Sequence, residues 1–421
     1  MSLVQAMCFT SARPSARRVI GRLLAFGVGL LLLGSVSQPA QSQTFNVIYN
    51  FTDVNAGVNP YGGPTLDRVG NLYGTTYLGG QTGNGAVYKL SHSGSSWTYT
   101  TLYSFEGFNG AGPGFGSLAF GPDGRPYGTT EGGGTFGVAF SVQPPAHACL
   151  TVECPWTESI LHNFGTGNDG AQPLNGVTFD SAGNFYGTTN LGGPGGLDGY
   201  GTVFEATRSG QTWTENVIYN FAGGSDAGYP VAGVSIDSEG NLYGTSSFGG
   251  ANGSGAAYKL SRSGSGWTET VIYSFQGASD GAAPVGGVIP DQAGNLYGTT
   301  FFGGDNGGGT VYELSPSSGS WTLTTLYSFS GTSGPYNDLT FDANGNLYGA
   351  TEGDGAFAKG SVFKLTHGDG GWTFTDLYDF TGGNDGGVPY GRLAVDSHGN
   401  IFGTTSIGGT GNQGVVFEIS Q

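Results

Sequence analysis

The stretch Gly70-Asn71-Leu72-Tyr73-Gly74-Thr75-Thr76 returns six more times in recognisable form along a chain of 421 residues. Its aromatic falls at Tyr73, Tyr127, Tyr186, Tyr243, Tyr297, Tyr348 and Phe402, at intervals of 54, 59, 57, 54, 51 and 54 residues. A period of this size is the signature of repeat architecture. Each unit reads as four strands: a short run such as Gly176 to Asp180, the motif itself, GTVFEA from Gly201, and a run from Trp213 to Phe221. Alternation, β-branched residues and aromatics support strands throughout. Between the first two strands lies Asp-x-x-Gly-Asn, at Asp180, Asp237, Asp291, Asp342 and Asp396, with Asp67 in the same register. That spacing is a hairpin turn, with Asp accepting backbone donors and Gly supplying positive φ. One aspartate per tight turn offers too few oxygens for calcium.

The fourth strand ends in an aromatic signature, as in Tyr103-Ser104-Phe105 and Tyr219-Asn220-Phe221, with His162-Asn163-Phe164 as a variant. One further copy, Tyr49-Asn50-Phe51, precedes the first motif, while the last unit stops after its third strand at Gln421. The missing strand has moved to the N-terminus. The expected fold is therefore all-β: a seven-bladed β-propeller of four-stranded blades over residues 43–421, its ring closed by the N-terminal strand pairing with the last three strands. Closure of this kind leaves no open sheet edge, and a monomer is expected.

Glycine and proline supply 84 and 18 residues, close to the range of low-complexity chains. The 13% aromatic content, in register with the repeat, argues instead for turns between packed strands. Residues 1–42 differ: Arg13, Arg17, Arg18 and Arg22 precede the apolar run Leu23 to Leu33, followed by small and polar residues. That is a signal-peptide pattern, too short for a comfortable membrane span, with Ala40 and Ser42 suiting cleavage before Gln43. A secreted, periplasmic or envelope location follows, with retention of the segment as an N-terminal anchor as the alternative to cleavage. Loss of those four arginines takes the formal charge from −17 to −21. Such a chain repels nucleic acid and anionic membrane. Of the cysteines, Cys149 and Cys154 remain after cleavage and are expected to pair as a local staple in an oxidising compartment. They lie in an insertion, Gln143 to Pro155, peculiar to the second unit.

The tandem unit D-x-x-GNLYGTT-x-x-GG, G-x-V-Y/F-x-L, WT-x-x-x-LYSF resembles the exported GloVer-repeat proteins, described as choice-of-anchor tandem repeat proteins. The likeness runs from Phe45 to Gln421. It implies export and a β-propeller and no established activity, and the lack of an apolar tail after Ser420 departs from many members. A weaker likeness to kelch propellers rests on Gly79-Gly80, Tyr88 and Trp97. The Asp-x-x-Gly-Asn-Leu-Tyr turn also looks like that of lactonase-type propellers, whose central metal is held by acids and amides. All six tryptophans, Trp97, Trp156, Trp213, Trp267, Trp321 and Trp372, occupy one register position, which is read as packing.

Strand direction assigns every loop to one end of the ring. His92, His147, His367 and His398 go to the end of the Asp-x-x-Gly-Asn turns and His162 replaces a strand tyrosine, so no catalytic triad or histidine-metal set is supported. The other end, where the chain crosses between blades, collects acids. Asp53, Glu106, Asp169, Asp226, Asp280 and Asp385 come from crossovers, and Glu131, Asp198, Asp305, Glu352 and Asp354 from loops inside blades, against Lys359 and Arg392. Calcium is expected there, through Asp169, Asp226, Asp280 and Asp385 with loop carbonyls, alongside the plainer reading that each Asp caps a turn. Tyr77, Phe248, Phe301 and Phe302, in the slot before the glycine pair, with Glu131 and Glu352, are the candidate ligand-binding residues for an extracellular glycan or protein. The expected function is a binding or interaction module. An enzyme acting on glycans or lactones through a metal or paired carboxylates, and a structural envelope protein, are the alternatives.

Overall fold

The computed structural model describes residues 43–94, 96–146, 156–165, 168–264 and 266–420. The expected signal segment, His147 and the Cys149–Cys154 pair lie outside them. Seven four-stranded antiparallel sheets follow one another along the chain. In blade 1 the strands are Thr65–Leu66, Leu72–Thr76, Ala86–Ser93 and Ser96–Ser104, running from the innermost to the outermost. Blade 7 is completed from the other end of the chain: Thr44–Asn50 pairs with Val415–Ser420, Phe45 opposite Ile419 and Asn46 opposite Glu418. That pairing carries a bulge between Val47 and Tyr49, and the third and fourth strands of the other blades carry one at the matching place, as between Val87 and Tyr88. A bulge at the same step in the borrowed strand gives blade 7 the same local twist as its neighbours. Among the described residues no helix is long and apolar enough to cross a membrane.

Several positions of the motif, and the aspartate ahead of it, have contacts that account for them. Asp67 accepts the backbone N–H groups of Val69 and Asn71 and the Asn71 amide, which closes the turn into the second strand. The motif glycine lies beneath an aromatic of the third strand: a Cβ on Gly187 would stand 2.5 Å from the Phe204 ring. The motif aromatic faces the next blade, where it meets that blade's tryptophan, as in Tyr186 and Trp267 at 6.0 Å or Tyr297 and Trp372 at 5.6 Å. Trp97 meets Phe402 of blade 7 in the same way. Six tryptophans thus serve as packing between blades. The first threonine hydroxyl donates across the seam to a carbonyl of the next blade's entry segment, Thr188 to Ala232 at 2.8 Å and Thr245 to Gly286 at 2.8 Å. The second caps the loop that follows it, Thr189 to the Leu191 carbonyl at 2.9 Å.

The core consequently sits between blades rather than within them. One cluster joins Tyr186 and Val203 of blade 3 to Leu242, Tyr258 and Leu260 of blade 4, all nearly solvent-free. Another joins Tyr348 and Val362 of blade 6 to Ile401, Phe417 and Ile419 of blade 7. At about 1.5–3 kcal/mol for each large side chain fully buried, these seams are the main source of stability.

Candidate functional site at the crossover end

The chain enters each inner strand through a turn containing proline, and in six of the seven blades the residue before that proline is in left-handed backbone. Asn59, Gln172, Tyr229, Ala283 and Val388 have φ between 50° and 57°, and Gly112 has 58°. For a β-branched residue such as Val388 this conformation costs on the order of 1–3 kcal/mol. What holds it is a pair of backbone hydrogen bonds. The Val388 N–H donates to the Lys359 carbonyl of the preceding blade, and its own carbonyl accepts the Ser406 N–H of blade 7. The same exchange fixes Tyr77 to Asn59, Glu131 to Gly112 and Phe301 to Ala283, while Glu352 is fixed to Gly334. Loop residues at the crossover end are therefore held by backbone to the segment that lines the channel.

Immediately after each proline the chain presents Tyr61, Leu174, Val231, Val285, Tyr336 and Tyr390, with Phe115 one residue further along in blade 2. The inner segments of all seven blades line a central cavity of about 540 Å³, with Phe115, Tyr336, Tyr390 and Arg392 among its walls. At the crossover end the rings meet in series. Tyr77 lies 4.8 Å from Tyr61, Tyr61 5.6 Å from Phe115, Phe115 4.9 Å from Tyr336, Tyr336 5.5 Å from Phe301 and Phe301 4.5 Å from Phe302. Tyr390 touches Tyr61, Phe115 and Tyr336 from the side. The row ends in solvent, since Phe302 is 48% exposed.

Two glutamates border this row. The Tyr77 hydroxyl donates to Glu131, and the Tyr390 hydroxyl donates to Glu352 at 3.0 Å. Burial, and then the Glu131 carboxylate, push the Tyr77 hydroxyl up to about 12. Burial and the fields of Glu352 and Glu131 also push up Tyr336, which stands between them.

Of the expected ligand residues, Tyr77, Glu131, Phe301, Phe302 and Glu352 come together here. Phe248 does not: it is 47% exposed and meets Tyr229 at 6.0 Å, in a smaller group with Tyr200. Tyr61, Phe115, Tyr336 and Tyr390 were missed by the reading of the sequence. Their signal was the residue just after the crossover proline, or one further along for Phe115, which is aromatic in only some blades.

The four aspartates expected to hold calcium are distributed one to a crossover. Each lies seven residues beyond the strand-end Tyr or His and binds it: His162 Nε2 lies 3.1 Å from Asp169, while Tyr219, Tyr273 and Tyr378 donate to Asp226, Asp280 and Asp385 at 3.1, 3.0 and 3.1 Å. Each carboxylate also accepts a backbone N–H from its own turn, from Gly165, Ala222, Gln276 and Thr381 respectively. The crossover into blade 6 lacks such an aspartate, and Asp354 reaches it from the loop side, accepting the Gly331 and Gly355 N–H groups. Among the described residues no three His, Cys, Asp or Glu side chains stand together as a group able to hold a metal ion. Asp280 keeps one buried oxygen, Oδ1, without a hydrogen-bond partner.

A ring of seven four-stranded sheets, closed by the N-terminal strand around a central channel, defines a seven-bladed β-propeller. The chain belongs to the Gloeobacter/Verrucomicrobia repeat family, whose model matches residues 150–271 and 236–421. No curated protein sequence matches it. Among solved structures it is similar to an oxidoreductase of Thermus thermophilus described as a glucose dehydrogenase, at 13% identity over 90% of this chain and all of that one, with a TM-score of 0.44. It is similar to a gluconolactonase of Xanthomonas campestris at 12% identity, over 90% of each chain, with a TM-score of 0.41. The extracellular domain of a hybrid two-component system of B. thetaiotaomicron is similar at 11% identity and a TM-score of 0.53, over 89% of this chain and 39% of that one. At these identities the likenesses speak to the fold alone.

Proposed function

We propose that this is an exported propeller whose crossover end binds an extracellular glycan. The observation that carries the reading is the unbroken row of rings from Tyr77 to Phe302 across the channel mouth, with carboxylates at its margin. Aromatic faces flanked by a few polar groups suit an extended, amphipathic ligand such as a sugar chain, whose ring faces are apolar and whose edges carry hydroxyls. The backbone clamps described above hold the loops in place, so little ordering entropy is lost on binding. Catalysis on glycans or lactones would need a metal or two facing carboxylates at the mouth. Glu131 and Glu352 instead each accept a tyrosine hydroxyl, which favours binding.

The test is calorimetric titration of the mature protein with a panel of soluble oligosaccharides, repeated on Tyr336→Ala. Removing the ring at the centre of the row is expected to weaken binding about tenfold or more while the protein still melts cooperatively. A panel without any binder, or a Tyr336→Ala variant that binds like the parent, overturns the proposal.

A further inference from the structure

We infer that the glycan taken up at the crossover mouth is a cationic one, carrying free amino groups that the Tyr61–Phe115–Tyr336–Tyr390 rings and the Glu131 and Glu352 carboxylates receive. The inference rests on the glycan reading above and adds the charge of the ligand. Elsewhere in the described part of this molecule five rings have a cation from the chain. Lys89, Lys259 and Lys364 lie 5.3, 5.4 and 5.3 Å from the centres of Tyr73, Tyr243 and Tyr348, and Arg262 lies 4.4 Å from that of Trp267. No described Lys or Arg lies over a ring of the mouth.

The glutamates tell the same story. Among the described residues, ion pairs engage Asp123, Asp169, Glu205, Glu215 and Asp396, and none reaches Glu131 or Glu352. Their partners are tyrosine hydroxyls, which orient the carboxylates beside the rings and leave their charge uncompensated. A ring face next to an unbalanced carboxylate is the arrangement that attracts an ammonium group, through the ring quadrupole and the charge together. Among the described residues lining the cavity Arg392 is the one base, its Nε donating to the Thr340 hydroxyl at 3.0 Å, and the one acid, Asp338, is already engaged by the Gly287 N–H at 2.6 Å. An amine is therefore favoured at the rim, near the glutamates, rather than deep in the channel. The acidity of the whole chain works in the same direction, since it repels anionic polysaccharides and concentrates cationic ones.

The experiment compares three oligosaccharides of equal length: a fully deacetylated glucosamine oligomer, its N-acetylated counterpart and a neutral glucose oligomer. They are titrated at low salt on the acidic side of neutrality, where the amines are charged. The deacetylated chain is expected to bind about tenfold tighter than the other two. That preference should vanish in the double variant Glu131→Gln, Glu352→Gln, which keeps an acceptor for each tyrosine hydroxyl. If the neutral and acetylated chains bind as tightly as the charged one, the charge inference falls and the glycan reading survives. If none of the three binds while another oligosaccharide of the panel does, the charge inference falls and the glycan reading survives, and a panel without any binder removes both. If the double variant retains the preference, the amine is held elsewhere on the acidic face and this site is wrong. Equal binding of polylysine would remove the sugar from the proposal and keep the cation.

Discussion

At the residue scale, the crossover aspartates show how one side chain can be read two ways. Seven-residue spacing from a strand-end Tyr or His places each carboxylate against that hydroxyl or ring nitrogen and against the N–H groups of its own turn. Calcium, expected from the sequence at Asp169, Asp226, Asp280 and Asp385, would have to compete with those donors. Asp280 offers the best foothold, because its Oδ1 is buried without a partner. The outcome expected of a cation there is a melting temperature raised by millimolar calcium and lowered by chelator, with the response lost in Asp280→Asn and kept in Asp226→Asn. A parent protein indifferent to both reagents leaves all four residues as turn caps.

At the element scale, the seams between outer strands are not equivalent, although the strands are. On one side of the ring they close by aromatic stacking: Phe374 on Tyr327 at 3.7 Å, Phe45 on Tyr378 at 3.8 Å and Tyr99 on Tyr49 at 4.2 Å. On the other side the same position holds Glu158, Glu215 and Glu269, each with a buried Oε1 that has no hydrogen-bond partner. Glu158 accepts the Tyr103 hydroxyl, which Asn109 also contacts, and Glu106 is nearby. Glu215 lies 3.9 Å from His162, with Asp169 on its far side, and Glu269 faces Tyr219 and Asp226. Burial first, and then the neighbouring acid, push all three up from 4.5 to about 7. A carboxyl whose folded value is raised binds its proton more tightly in the folded protein, so its contribution to stability is present below pH 4.5 and is lost as pH rises to about 7. His162, lowered by burial, works the other way: the unfolded chain takes up its proton first, so stability falls as pH drops through 6.5. The Glu158 and Glu269 seams carry no such counterweight. A melting temperature that falls between pH 5 and pH 7 is expected, with a shallower fall in Glu269→Gln. A flat profile in the parent, or an unchanged slope in that variant, contradicts this account.

At the scale of the whole molecule, the nine residues 43–51 that lead into the propeller close the ring. Thr44–Asn50 supplies the outer strand of blade 7, and with it both aromatic seams of that blade, through Phe45 and Tyr49. Phe51 is fully buried in a cluster that joins Val416 of blade 7 to Leu72, Tyr88 and Leu90 of blade 1. Deleting residues 43–51 would bare the Val415–Ser420 edge and empty two seams at once. Aggregation, or a large loss of thermal stability, is the expected result by scanning calorimetry and size-exclusion chromatography. A truncated protein that melts like the parent would show that the ring does not depend on this strand.

The sequence by itself determined the number of blades, the order of their strands and the borrowed closure, because each follows from local periodicity and from counting copies of one motif. It also placed Tyr77, Glu131, Phe301 and Glu352 at one end, since alternating strand direction assigns loops to faces. Only the tertiary structure decided which of them meet. Tyr61, Phe115, Tyr336 and Tyr390 are far apart in the chain and aromatic in only some blades, so a reading built on recurrence passes over them. The curvature of the ring brings their post-proline positions together around the channel. The same curvature separates Phe248 from the row and does not gather the four crossover aspartates into a group able to hold a metal ion among the described residues. Recurrence in sequence reports what every blade needs for packing, whereas a site is made by the residues in which the blades differ, and ring closure sets their distances.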